Sequence, residues 1–96
     1  MPLLRVMRVQ NEVLVAICDA DLLGREFKEG DFRLKPSQSF YCGKEESVEA
    51  CLEALKEATI ANLVGSIVGH AIKAGFINRA NVVRIEGVPH AQMVRM

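Results

Sequence analysis

Leu3-Leu4-Arg5-Val6-Met7-Arg8-Val9-Gln10-Asn11-Glu12-Val13-Leu14-Val15-Ala16-Ile17-Cys18 is the stretch that decides how this chain folds. Two runs of β-branched and aliphatic residues, Leu3 to Val9 and Val13 to Cys18, flank the polar break Gln10-Asn11-Glu12, and Asn11 tolerates the positive φ of a tight turn. The expectation is an N-terminal β-hairpin. In its second strand Val13, Val15 and Ile17 line one face and Leu14, Ala16 and Cys18 the other. Both faces are apolar, so the strand belongs in the middle of a sheet. Cys18 then reads as a small core residue and not a reactive thiol, because no cation adjoins it in sequence to lower its pKa.

Beyond the hairpin, Asp19 is placed to cap a short helical turn over Ala20-Asp21-Leu22-Leu23, which Gly24 ends in a left-handed conformation. A turn at Glu29-Gly30 leads into Asp31-Phe32-Arg33-Leu34-Lys35, whose alternation predicts a half-exposed strand that buries Phe32 and Leu34 and stops at Pro36. Residues 37 to 43 read as loop, with Phe40 and Tyr41 folded back onto the core and Cys42 and Gly43 at a turn. Val48, Cys51, Leu52 and Leu55 recur at i, i+3, i+4 and i+7 behind Glu45 and Glu46, which predicts an amphipathic helix. Its solvent column Glu49, Glu53 and Glu57 is expected to be tolerated without a basic neighbour.

A second helix is expected from about Leu63 to Ala74, capped by Asn62 or Ser66, striped by Val64, Ile67, Val68, Ala71 and Ile72, and stopped by Gly75. Gly65 and Gly69 lie four apart, which suits close helix packing; the Gly-Lys-Ser/Thr ending of a phosphate-cradling loop is absent. Val82 to Ile85 and Ala91 to Arg95 read as closing strands around a turn at Gly87 to Pro89. The order β-β-(short α)-β-α-α-β-β gives an α+β fold: a two-layer sandwich, mostly antiparallel sheet with two main helices, and one compact domain over residues 1–96.

Half of the residues are hydrophobic, a quarter charged, and the core is aliphatic, with no tryptophan. Twelve basic and twelve acidic side chains cancel, so no global field draws the chain to nucleic acid or an anionic membrane. Locally the balance is uneven. Residues 43 to 58 carry Lys44 and Lys56 against five glutamates, and residues 59 to 96 carry Lys73, Arg79, Arg84 and Arg95 against Glu86 alone. Three cysteines without a Cys-x-x-Cys pair argue against a disulfide framework and a zinc ribbon. The N-terminus lacks a signal-peptide pattern and no apolar run reaches the ~20 residues of a membrane span, so a cytoplasmic protein with no membrane partner is expected.

Chemistry-bearing residues concentrate in Gly87-Val88-Pro89-His90-Ala91-Gln92 and in Asn62-Leu63-Val64-Gly65 with His70 beyond. His90 reads either as a base or ligand beside a rigid turn or as a histidine bonded to loop carbonyls, and no neighbouring carboxylate except Glu86 supports the first. His70, His90, Cys42 and Cys51 have no ligand spacing on one element, so neither a metal nor a cofactor is expected. A Cys42 nucleophile with His90 needs a meeting in space that spacing does not supply, and Asp19 with Asp21 reads as cap and surface. Arg5, Arg8, Arg79, Arg84 and Arg95 would gather into a basic strip, with Tyr41 as a stacking ring, if the first and last strands were neighbours.

Cys18-Asp19, Leu22-Leu23-Gly24 with Phe27 and Glu29-Gly30, Phe40-Tyr41 before Gly43, Ala61-Asn62-Leu63-Val64-Gly65 and the closing Gly87 to Gln92 together make the chain resemble the small archaeal family catalogued as domain of unknown function 424. Cys42 departs from the glycine expected there. The resemblance implies an archaeal cytoplasmic protein and brings no catalytic residues with it. The leading reading is a non-enzymatic binding module for RNA or a translation-associated protein, using the surface around Asp19, Asn62, His90 and Gln92 with Arg84 and Arg95 beside it. Two alternatives differ in class: a small-molecule pocket or enzyme built from Asp19, Asn62, His70 and His90, and a homodimer formed through an exposed apolar edge.

Overall fold

The computed structural model describes residues 2–36 and 43–95. Within it β1 (Pro2–Val9) and β2 (Glu12–Asp19) form the expected hairpin, paired antiparallel from Pro2↔Asp19 to Val9↔Glu12. The positive φ of its two-residue turn falls on Gln10 and not on Asn11. After a 3₁₀ turn at Ala20–Leu22 the chain makes β3 (Phe27–Glu29), β4 (Phe32–Leu34), β5 (Lys44–Glu45), α1 (Val48–Glu57), β6 (Ile60–Val64), α2 (Ile67–Lys73), a second 3₁₀ turn at Arg79–Asn81, β7 (Val83–Ile85) and β8 (Val88–Val94).

Six strands make one sheet in the order β5-β1-β2-β6-β8-β7, with β2 and β6 its parallel pair and every other pairing antiparallel. The fold is α+β, a mostly antiparallel sheet carrying two helices. Both helices pack on one face, where Ile17, Leu63, Leu55, Ile67 and Val68 are fully buried together. Alternation sends Ala16, Cys18 and Val64 to the other face, under Leu22 and Phe27. β2 is covered on both sides, as its unbroken apolar pattern required. No helix among the described residues is long and apolar enough to cross a membrane.

β3 and β4 form a small separate sheet that supplies this second cover. Its neck is closed where the Gly24 N–H donates to the Pro36 carbonyl at 2.9 Å. Its far end is tied to the β7–β8 turn: the Lys28 N–H donates to Glu86 Oε2 at 2.7 Å, and the Glu86 N–H donates to Glu29 Oε1 at 3.1 Å. Phe27 is buried but Phe32 is 65% exposed, so the expected burial of Phe32 does not occur. Phe32 lies opposite Glu29 close to the ribbon's tip, beyond the Phe27↔Leu34 pair that packs on the sheet.

Other expectations change for similar local reasons. Asn62, Leu63 and Val64 belong to β6, and the second helix starts only at Ile67. A five-residue apolar run fits either period, and here strands on both sides decide it. Gly69 is exposed with open space beside it, so it does not serve close packing. The closing turn is Glu86-Gly87, both at positive φ, as a two-residue type I′ hairpin demands. Pro89 therefore lies inside β8, at a position whose absent N–H breaks no rung to β7.

α1 begins where Ser47 Oγ accepts from the Ala50 N–H at 3.1 Å. Two of the three glutamates in its acidic column are answered and not merely tolerated, since Lys56 Nζ lies 2.9 Å from Glu53 and Arg8 Nη2 lies 3.2 Å from Glu57. Both pairs are exposed and contribute little, about 0 to 1 kcal/mol each. The expectations for Phe40, Tyr41 and Cys42 fall outside the described residues.

Candidate functional site

Asn62 and Gln92 lie directly opposite each other on β6 and β8, and His90 lies opposite Val64, one step along on the same face. Side chains at such positions are ~5 Å apart across strands and ~7 Å apart along one strand or on the diagonal. The two polar segments of the sequence thus converge, on the face away from the helices. Asn62 and His90 are half-buried and Gln92 is exposed. None of the three side chains makes a hydrogen bond among the described residues, and their polar atoms reach solvent. Burial lowers the His90 pKa below its ordinary 6.5, which keeps the ring neutral at pH 7.

The expected company of these residues is on the other side of the sheet. Arg84 pairs with Pro89 on β7 and so faces the helices, and Arg95 follows β8 with the same parity. Arg95 is committed there: Nη1 donates to the Lys56 carbonyl at 2.8 Å, and its guanidinium lies 5.8 Å from the centre of the Phe76 ring. Asp19 is committed as well. It makes no side-chain cap to the turn that follows it; Oδ2 accepts from the Ser66 N–H at 2.8 Å and Oδ1 from Ser66 Oγ at 2.7 Å. His70 is exposed on α2, across the sheet from Asn62 and His90. The pocket of Asp19, Asn62, His70 and His90 therefore does not form, because the sheet itself divides its members.

The basic strip of Arg5, Arg8, Arg79, Arg84 and Arg95 does not form either, since β2 and β6 separate β1 from β8. Part of it reappears elsewhere. A groove of about 650 Å³ between α2 and β7 is lined by Lys73, Arg79 and Arg84 with Gly69, Ile72 and Val82. No carboxylate lines it, and among the described residues none of its three cations is in an ion pair. Lys73 was missed as a site residue. Its only signal was the basic excess after residue 58, because the helix and edge strand that bring it to Arg84 are not visible in local pattern.

A second recess, about 410 Å³, lies at the opposite edge of the sheet and is lined by Asp19, Asp21 and Glu45 with Pro2, Val48 and Ser66. Of the acidic segment 43 to 58 only Glu45 reaches this recess; Asp19 and Asp21 come from the end of β2 and the turn that follows it. Both described cysteines are buried: burial, with Asp19 and Asp21 nearby, pushes the Cys18 thiol up to about 12, and burial with Glu46 pushes Cys51 up to about 11.

Comparison with known proteins agrees with this architecture and names no activity. The family described as Protein of unknown function (DUF424) matches residues 7–96, and the chain belongs to that family. A crystal structure of an uncharacterized conserved protein from Methanopyrus kandleri is similar, with a TM-score of 0.76 and 29% identity over 99% of this chain and 94% of that one. No curated protein matches.

Proposed function

We propose that this DUF424 protein is a non-enzymatic module that binds single-stranded RNA through its sugar-phosphate backbone, and that the groove between α2 and β7 is where the backbone lies. The observation that carries the reading is the set of cations Lys73, Arg79 and Arg84 around one concavity with no carboxylate to neutralise them. Elsewhere on the described surface four cations are in ion pairs, Arg8 with Glu57, Lys56 with Glu53, and Lys28 and Arg33 with Glu26, while Arg25, Lys35, Lys44 and Arg95 are not. Three cations gathered around one concavity whose lining holds no carboxylate present an anion site. Two guanidinium groups favour planar, bidentate contacts to phosphate oxygens.

The dimensions favour a single strand. The groove is bounded by a seven-residue helix and a three-residue edge strand, which is short for the two backbones of a duplex groove. Zero net charge means little long-range steering, so affinity depends on these local contacts and falls with added salt. The acidic recess at the far edge repels the same ligand and limits its placement.

The experiment is a fluorescence-anisotropy titration of a labelled RNA oligonucleotide at low salt. The wild-type protein is expected to bind, and Lys73→Ala/Arg79→Ala/Arg84→Ala to lose binding by about tenfold or more while keeping its thermal transition. Absence of wild-type binding, or equal binding by the variant, overturns the reading.

A further inference from the structure

We propose that Asn62, Gln92 and His90 form a site for the hydrogen-bonding edge of a nucleobase belonging to the strand whose phosphates occupy the groove. The inference rests on the RNA reading above and adds to it that the bases are read. Two carboxamides opposite one another each offer two N–H donors and an acceptor oxygen, and an imidazole adds a further donor or acceptor. Asn and Gln match the paired donor and acceptor of a base edge, as they do at adenine. All three side chains are without a hydrogen-bond partner among the described residues, yet they stand side by side on regular strands.

Their surroundings select a neutral, partly apolar ligand. The cross-strand neighbours of Asn62 and His90 on this face are Ala16, Val64 and Val83, besides Gln92 itself. None is charged; along this row a cation appears only at Arg5, opposite Ala16 on β1. Val83 is 44% exposed and Val94 is 61% exposed, and both share this face with the polar side chains. Apolar surface flanking unpaired donors and acceptors complements a base, which has apolar faces and a polar edge. Burial also favours the uncharged imidazole.

The edge strand links the two sites. Val83 and Arg84 are consecutive on β7, the outermost strand, and point to opposite faces. A strand passing around this edge would place phosphates beside Arg84 and bases beside Val83 and His90. Single-stranded RNA is suited to this, because its bases splay away from the backbone.

The test uses labelled oligo-A, oligo-C and oligo-U of about eight nucleotides, titrated into the wild-type chain and into Asn62→Ala/Gln92→Ala. We expect the wild type to prefer one sequence by at least about fivefold and the double variant to bind all of them within about twofold, with an unchanged dependence on salt. Gln92→Ala alone, at an exposed position, guards against a folding defect and is expected to reduce the preference. Equal wild-type binding to all sequences, or a preference that survives in the variants, overturns the base site while leaving the groove intact. If no oligonucleotide binds the wild type, the RNA reading itself is wrong and the base site falls with it. Free nucleosides separate the two sources of a base: they are expected to compete far more weakly than the oligonucleotide, and equal competition overturns the assignment to a strand.

Discussion

Asp19 holds Ser66 at two points, with Oδ2 taking the backbone N–H at 2.8 Å and Oδ1 the hydroxyl at 2.7 Å, across 47 positions of sequence. The contact locks the end of β2 to the start of α2. It also explains Gly65, which sits at φ +97° and where a Cβ would fall 2.7 Å from Asp19 Cγ. One carboxylate thus constrains the residue type and the conformation of its neighbour.

Asp19→Ala is expected to lower stability by about 1 to 3 kcal/mol, because two donors at the helix start lose a charged acceptor. In a domain of this size each kcal/mol moves the thermal midpoint by about 4 to 8 °C. A double-mutant cycle with Ser66→Ala checks the cause: the two losses should be clearly less than additive. Additive losses would mean that Asp19 stabilises the fold by some other contact.

Cys18 and Cys51 are fully buried, with thiols raised to about 12 and about 11. At neutral pH almost no thiolate is present, and the thiolate is the reacting species. Peptide mapping after maleimide treatment should find both unmodified in the native protein and both modified after denaturation. Rapid native labelling of either would contradict the packing described.

Burial lowers the His90 pKa below the ordinary 6.5, so the unfolded chain takes up this proton at higher pH than the folded one. Stability from the neutral ring is complete above 6.5, declines as the pH falls through that value, and levels off below the folded pKa. Unfolding free energies measured from about pH 8 to about pH 5 should show wild type losing ground relative to His90→Gln on acidification. Parallel curves, or a relative gain for wild type, would show that burial does not govern this ring.

The hairpin, the first helix and the α+β class were legible because each is stated by a local pattern: apolar runs on both sides of the polar break Gln10-Asn11-Glu12, and the spacing of Val48, Cys51, Leu52 and Leu55. β6 was not, because Ile60 to Val64 is too short to show a period and becomes a strand through β2 and β8 on either side. The convergence of Asn62, Gln92 and His90 was anticipated from composition, but their sidedness depends on register. Reading β8 from Val88, where the structure starts it, puts His90 and Gln92 on one face and Arg95 on the other. Starting the strand at Ala91 still separates Gln92 from Arg95 but leaves His90 outside the strand and without a face. The groove needed two facts that local pattern lacks, the start of α2 at Ile67 and β7 as the sheet edge.

The most direct test of the account is the salt dependence of RNA binding. For three phosphate contacts to a single strand, the logarithm of the association constant should fall against the logarithm of salt concentration with a slope of about −2. Arg84→Ala should reduce that slope by roughly 0.7. A wild-type slope near zero, or one that Arg84→Ala leaves unchanged, would contradict the assignment of the groove between α2 and β7 to the RNA backbone.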